Sequence, residues 1–287
     1  MASGNRLSET VHPQAPPVQV SDGESVLRFE NVTVRFDDET ALDGVSFDVR
    51  RGETRIILGA AGSGKSVLLK TAIGLIPVAS GNVFLFDEQA TNLPESEMYS
   101  IRSRVGIAFQ ESALFDSMTI AQNVAYPLLY QPSIRSNPEE ARAKVKEALE
   151  FVELGGTLDK FPSELSGGMR RRAAIARAVV TKPPLLLYDS PTAGLDPITA
   201  RTIMALIVKE RDLDNTTALV VTHRYQDGNV VANFRYNSQS GAIEPSPQAT
   251  STRFMVMREG RLIFEGDQDE LEASKDPYIC KFVRQAD

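Results

Sequence analysis

The residues of this chain best placed to do chemistry are a lysine and a serine at the end of a glycine-rich turn. From Arg55 to Lys70 the sequence reads R-I-I-L-G-A-A-G-S-G-K-S-V-L-L-K. Gly59, Gly64, Lys65 and Ser66 therefore fall in the spacing G-x-x-x-x-G-K-[ST], with a further glycine at Gly62. Small residues in such a turn let successive backbone N–H groups point at one anion, and a helix starting there adds the positive end of its dipole. The flanks supply that context. Ile56-Ile57-Leu58 is an apolar run long enough for a buried strand, and an apolar helical pattern resumes at Val67, Leu68 and Leu69. A polyphosphate fits this arrangement, with Lys65 on its terminal phosphates and the Ser66 hydroxyl on Mg²⁺. A plain Gly/Ala/Ser turn has no need of lysine and serine in register.

Three further polar residues stand at strand ends. Val105 to Phe109 stops at Gln110, the apolar run Leu185 to Tyr188 ends in Asp189, and Ala218 to Thr222 ends at His223. If these strands are parallel to the one before Gly59, all four ends converge at the carboxyl edge of one sheet, where open α/β folds bind ligands. A lone carboxylate at a strand end often caps a helix, but after a phosphate loop it is better suited to holding Mg²⁺ through water. Ser166, as N-cap, opens a helix running to Val180 with Gly167 and Gly168 just inside it. Glycines there cost about 1 kcal/mol each relative to alanine, and close backbone approach to an anion would account for them. Arg170, Arg171, Arg172 and Arg177 follow; adjacent arginines fan around the axis, so a solvated face is expected ahead of a lipid-headgroup contact. Phe36, ending the first strand, suits either stacking on a purine or packing at the edge of the core.

The elements that must position these groups follow from pattern. Val32, Val34 and Phe36 alternate, as do Val45, Phe47 and Val49, which predicts an antiparallel hairpin feeding the phosphate-loop strand through a turn at Arg51-Gly52. A short strand is expected over Val83 to Phe86 and a helix from Pro94. Helices over Thr119 to Tyr130 and Asn137 to Leu154 make Glu111 to Phe161 a helical insertion between two strands, and Asp196-Pro197 starts another helix. Met1 to Ser25 reads as a disordered leader with a solvated His12, and Asp227 to Arg253 as a patternless polar surface excursion. Strands over Phe254 to Met257 and Leu262 to Phe264, a helix from Asp267 and a short tail over 276–287 close the chain.

Composition bounds the function. A chain of 287 residues, 42% apolar and 24% charged, has ordinary globular composition and can bury a sizeable core. Its net charge of −7 argues against nucleic acid as a partner, because phosphate-backbone binding leaves a basic footprint. The single cysteine, Cys280, excludes an intramolecular disulfide and a Cys-cluster zinc site and fits a reducing compartment. No apolar run approaches the roughly 20 residues that a membrane-spanning helix needs.

With phosphate loop, Gln110, L-S-G-G-M at 165–169, Asp189, A-G-L-D at 193–196 and His223 in that order, the chain resembles the ATPase subunits of ATP-binding-cassette (ABC) transporters across about residues 26–275. L-S-G-G-M is the selective element, since many nucleotidases share the phosphate loop. The resemblance implies an α/β P-loop NTPase with a RecA-like core, an antiparallel β subdomain and a helical ABC subdomain over about 111–180. It also implies ATP and Mg²⁺, and a homodimer in which each ATP lies between the phosphate loop of one copy and the L-S-G-G helix of the other. Carried over residue by residue, nucleotide binding falls to Phe36, to the loop Gly59, Ala60, Ala61, Gly62, Ser63, Gly64, Lys65, Ser66 and Val67, and to Ser166, Gly167, Gly168 and Asp196 across the dimer. Ser66, Gln110 and Asp189 serve the metal, and Lys65, Gln110, Ser190 and His223 form the catalytic set.

Within the family, A-L-F-D-S-M-T at 113–119 followed by N-V-A-Y-P-L at 123–128 looks like the ATPases of bacterial Mla/Mce-type lipid transporters. That likeness implies an integral-membrane (MlaE-like) permease, an Mce-type lipid-binding subunit, and a peripheral position on the cytoplasmic face of the inner membrane. One residue departs from the family. Ser190 stands where the family has a glutamate that orients or deprotonates the attacking water, and loss of a general base removes roughly 10²- to 10⁴-fold in rate. Positioning and electrostatics carry most phosphoryl-transfer catalysis, so hydrolysis, slowed, is the leading expectation. Two alternatives stand beside it: a nucleotide-gated module that hardly turns over, and a cassette acting on ribosomes or DNA, which the acidic charge and single cassette disfavour.

Overall fold

The computed structural model describes residues 24–131, 134, 136–246 and 250–284. Most of the leader, His12 included, lies outside these residues, as do 247–249 and the last three residues. Ser25, assigned above to the leader, already begins a strand.

Six strands form the central sheet in the order β12-β11-β3-β8-β7-β6. They are β3 (Thr54–Leu58), β6 (Val105–Ala108), β7 (Leu185–Asp189), β8 (Thr217–Thr222), β11 (Thr252–Arg258) and β12 (Arg261–Gly266). All neighbours are parallel except the edge hairpin β11–β12. A parallel sheet covered on both faces needs strands apolar on both sides, and these strands meet that need residue by residue. Ile56, Leu58, Tyr188, Val220 and Phe254 enter one apolar layer. Their immediate neighbours Ile57, Leu187, Val221 and Met255 enter the other.

The second layer is closed by the antiparallel sheet β2-β1-β4-β5 together with two helices. Its strands are β1 (Ser25–Phe36), β2 (Glu39–Arg50), β4 (Ser80–Leu85) and β5 (Glu88–Gln89), and the helices are α1 (Lys65–Ala72) and α2 (Glu95–Arg102). The expected hairpin of β1 and β2 pairs Val32 with Val45 and Phe29 with Phe47.

The first layer is closed by α3 (Ile120–Tyr130), α4 (Pro138–Phe151), α5 (Gly167–Val179) and α6 (Pro197–Asp214). Helices α3 to α5 follow β6 and precede β7, as the helical-insertion reading requires. Thr119 caps α3 in a reciprocal box with Gln122, and the Asn137 side chain accepts from Glu140 N at the start of α4.

Two expectations are corrected. The stretch read as a patternless excursion carries α7 (Tyr225–Asn233) and a hairpin of β9 (Phe234–Asn237) and β10 (Ala242–Pro245). The hairpin is held by the Asp212 carboxylate of α6, which accepts from Tyr236 N at 2.8 Å and Arg235 at 2.9 Å. Beyond α8 (Gln268–Glu272), the expected tail forms α9 (Pro277–Arg284). Among the described residues no helix is long and apolar enough to cross a membrane.

Candidate functional site

Register alone brings the candidate residues to one edge. Leu58 pairs with Thr222, Asp189 with Val221 and Ala108 with Tyr188, so the carboxyl ends of β3, β8, β7 and β6 lie side by side. Gly59, His223, Ser190 and Phe109 are the next residues out, and Gln110 follows in an exposed turn. Convergence of the four strand ends, conditional in the sequence, holds because every strand between them is parallel.

The loop after β3 needs its glycines. Gly64 sits at φ +102°, and a Cβ there would come within 2.6 Å of the Ala41 carbonyl. A Cβ on Gly59 would meet the Ser63 hydroxyl at 2.5 Å and the Met257 carbonyl at 2.6 Å. Gly64 precedes α1, whose N-terminus no side chain caps, so its first amides remain for an anion. The Lys65 ammonium lies buried, donating to the carbonyls of Gly59 at 2.8 Å and Ala60 at 2.7 Å and to the Ser63 hydroxyl at 3.2 Å. Burial lowers its pKa to about 8, with the Asp189 carboxylate pulling the other way. Ala60, Ala61 and Gly62 are exposed at the tip.

Across the sheet, the Ser66 hydroxyl donates to Asp189 Oδ1 at 3.1 Å. Hydroxyl and carboxylate oxygens side by side suit a hard divalent cation. Among the described residues no group of three or more His, Cys, Asp or Glu side chains could hold a metal ion. A pair of oxygen donors fits Mg²⁺, which takes one or two protein ligands and fills its octahedron with substrate phosphates and water.

Ser190, next along, is buried and holds a left-handed backbone at φ +46°, uncommon for a residue with a side chain. Its amide donates to Val221 O at 2.8 Å, and its carbonyl accepts from Arg171 at 3.2 Å. Arg171 also reaches Ala193 O at 3.3 Å. The expectation that the arginines of α5 face solvent is thereby corrected. Arg170 bonds Leu165 O, Arg172 bonds Val152 O, and Arg177 bonds the carbonyls of Ser112 and Ala113 just after Gln110. Here the terminal guanidinium nitrogens satisfy carbonyls of loops that have left the regular ladders, while the buried Arg171 Nε has no hydrogen-bond partner among the described residues.

Ser166 caps α5 as expected, accepting from Met169 N at 3.3 Å. The two glycines behind it differ. A Cβ on Gly168 would strike the Thr199 methyl at 2.5 Å, so close packing against α6 accounts for that one, whereas Gly167 opens onto free space. Among the described residues no hydrogen bond ties Ser166, Gly167 or Gly168 to the phosphate loop. Asp196 caps α6 through the amides of Ile198 and Thr199, and the bonds it accepts from Thr199 and Ile198 hold its carboxyl below the usual range. Phe36 is 47% exposed at the end of β1, so it is not packed into the core.

Sequence reasoning missed three residues of this edge. Arg171 was grouped with its neighbours by charge. Tyr278 of α9, hidden in the supposed tail, accepts from Ala60 N at 3.1 Å and donates to Met257 O at 3.2 Å. Asp227 of α7 lies in the supposed excursion, and no spacing in the sequence ties it to the strand ends.

Comparison with known proteins agrees with this geometry. The ABC transporter family matches residues 42–193. The intermembrane phospholipid transport system ATP-binding protein MlaF of Haemophilus influenzae is 30% identical over 91% of this chain and 91% of its own. A probable ribonucleotide transport ATP-binding protein of Mycobacterium leprae and a methionine import ATP-binding protein of Rhizobium johnstonii are each 38% identical. Those matches cover 69% and 72% of this chain but only 56% and 57% of the relatives' own length. An ATP-binding cassette solved as a dimer bound to ADP and Pi superposes with a TM-score of 0.72 at 29% identity, covering 84% of this chain and 98% of that one. A phosphate loop, a strand-end carboxylate and an L-S-G-G helix on one α/β scaffold, with that similarity, identify the chain as an ATPase domain of the ABC transporter family.

Proposed function

We propose that this chain binds Mg-ATP at the edge formed by Gly59 to Val67 and hydrolyses it, as one of two copies, to drive lipid transport through a membrane permease. The observation that carries the lipid reading is the MlaF relative: it matches nine-tenths of both chains, whereas the nucleotide and amino-acid transport relatives match little more than half of their own length. Phe36 stacks on the base, Lys65 and the loop amides hold the phosphates, and Ser66 and Asp189 hold Mg²⁺ with Gln110 beside them. The metal supplies charge neutralisation on the phosphates. His223 and the Ser190 hydroxyl order the attacking water, a weaker device than a glutamate base.

Dimerisation is supported by Ile198, which is 81% exposed next to the capping Asp196, and by Gly167 facing open space. A single exposed aliphatic side chain is ordinary on a protein surface; the place of Ile198 at the start of α6, together with a related cassette solved as a dimer, is what points to an interface. The permease contact is supported by Phe115, Leu129, Tyr130 and Phe161, all at least 40% exposed around α3. Phe115, Tyr126 and Tyr130 stack in sequence with ring centroids 4.8 Å apart, making an aromatic ridge. An Mce-type subunit would join through the permease, on the membrane whose cytoplasmic face this chain would occupy.

Phosphate release from Mg-ATP by the full chain with its co-purified membrane partners tests the proposal, combined with lipid analysis of the recovered complex. Saturable turnover and enriched phospholipid are expected; turnover no faster than buffer would leave the nucleotide-gated module that Ser190 motivates. Recovery with a permease for a water-soluble solute would overturn the lipid reading alone.

A further inference from the structure

One buried acid near this edge has no part in the proposal above. Asp227 is 2% exposed, and its Oδ2 accepts from two hydroxyls, Thr192 at 2.6 Å and Thr222 at 2.7 Å. Both threonines are themselves 1% exposed. Its other oxygen faces Arg224 at 3.8 Å. Thr192 lies two residues after Ser190, in the turn that carries that serine, and Thr222 immediately precedes His223. One carboxylate oxygen therefore joins the two segments to which water ordering has been assigned.

Among the described residues the two segments are otherwise joined by the β7–β8 ladder, which ends with Asp189 opposite Val221. The Ser190 amide donates to Val221 O, and the Thr222 hydroxyl accepts from Arg224 N at 3.1 Å while donating to Asp227. Neither reaches Thr192. Arg171, on the carbonyls of Ser190 and Ala193, and the Ala193 amide, on Ser190 O at 3.0 Å, hold the left-handed turn from within and from α5, but neither ties Thr192 to the segment that carries His223. Bonds to an ionised carboxylate inside a protein are short and strong, and a displacement of about 1 Å at a reacting group costs on the order of 100-fold in rate.

We propose that Asp227 is a positioning residue for hydrolysis: through Thr192 and Thr222 it fixes the separation between Ser190 and His223, leaving nucleotide binding to the phosphate loop. This rests on the reading that Ser190 and His223 order water in this chain. The helix-start role of an acid in the first turn of α7 is served by the same carboxylate, so the test must separate catalysis from folding.

The test measures single-turnover phosphate release, the Kd of a fluorescent ATP analogue and the melting temperature for the full chain and its variants. Asp227→Asn and Thr192→Val are expected to lower the rate about tenfold while the analogue's Kd moves less than about threefold. Thr192→Ser keeps the hydroxyl and is expected to restore the rate to within about twofold of the parent. In a His223→Ala background, Asp227→Asn is expected to cost less than about threefold, because both changes disable one unit. An unaltered rate in Asp227→Asn, equal losses in Thr192→Val and Thr192→Ser, or full additivity with His223→Ala overturns the proposal. If Asp227→Asn fails to fold, the threonine pair decides. A parent chain that binds the analogue without turning over ATP overturns the water-ordering reading itself, and the proposal with it.

Discussion

At the residue scale, Ser190 and Lys65 show how far type and spacing reach. Lys65 can be named from the sequence because it stands in the G-x-x-x-x-G-K-[ST] spacing between an apolar strand and a helix start. Its proton affinity could not, since that follows from burial among the carbonyls of Gly59 and Ala60. A pKa near 8 in the free chain, against the ordinary 10.5, has a consequence for binding. Bound phosphate favours the ammonium and raises that pKa, so ATP binding takes up a proton once the pH exceeds about 8. Affinity for Mg-ATP is therefore expected to be level below pH 8 and to fall above it, by up to about tenfold per pH unit. Titration calorimetry in buffers of different ionisation enthalpy would detect the uptake, and a Kd flat from pH 7 to 9.5 would contradict it. Ser190 yields a second expectation. A carboxylate placed after Asp189 restores a base, so Ser190→Glu is expected to raise kcat by about tenfold or more with little change in Kd. Steady-state phosphate release measures it; a lower kcat would mean that the turn held by Arg171 cannot present a longer side chain to water.

At the element scale, the parts with strong periodicity were legible and those held by single polar groups were not. Strand β7 is legible to the residue because five apolar or strand-ending positions in a row admit few alternatives. The β9–β10 hairpin was invisible because its strands are four residues each, polar and half-exposed, and the anchor that holds it, Asp212, lies on a distant helix. The loop from Ala113 to Thr119 is a middle case. Its sequence was recognisable as a motif, but the reason for the motif lies in Asn123. That side chain is fully buried, accepts from Phe115 N at 2.7 Å and donates to the carbonyls of Phe115, Met118 and Thr119 at 3.0–3.1 Å. One carboxamide thus shapes the surface on which Phe115 stands, with Arg177 gripping the same loop from the other side. Asn123→Ala would strand a buried N–H and several carbonyls, and is expected to destabilise the fold by on the order of 2–3 kcal/mol. Denaturant unfolding checks the magnitude. Because among the described residues the Asn123 side chain bonds only Phe115, Met118 and Thr119 and not the phosphate loop, nucleotide Kd at low temperature is expected to hold while permease binding in a pull-down weakens; intact permease binding would remove this loop from the contact.

At the scale of the whole molecule, the site is assembled from one side only. The phosphate loop stands at the carboxyl edge of the central sheet, whereas among the described residues Ser166 and Gly167 open α5 without a hydrogen bond to that loop. Pattern could suggest this division only through the family likeness, because nothing in a single sequence distinguishes a helix start that serves its own loop from one that serves another copy. Geometry adds a position at which to test a dimer, Ile198, which is 81% exposed two residues after Asp196. Covering an isoleucine this exposed would contribute on the order of 2 kcal/mol per copy, counted twice in a symmetric dimer. A charge in its place must be desolvated on closure, so Ile198→Arg opposes the dimer from both sides. In a Ser190→Ala background that slows turnover, Mg-ATP is expected to bring the chain to a dimer in light scattering, and Ile198→Arg to keep it monomeric with its nucleotide affinity intact. A dimer that survives Ile198→Arg would move the interface away from the start of α6. Absence of any dimer with Mg-ATP, in a chain that binds it, would mean that closure waits for the permease to bring two copies together.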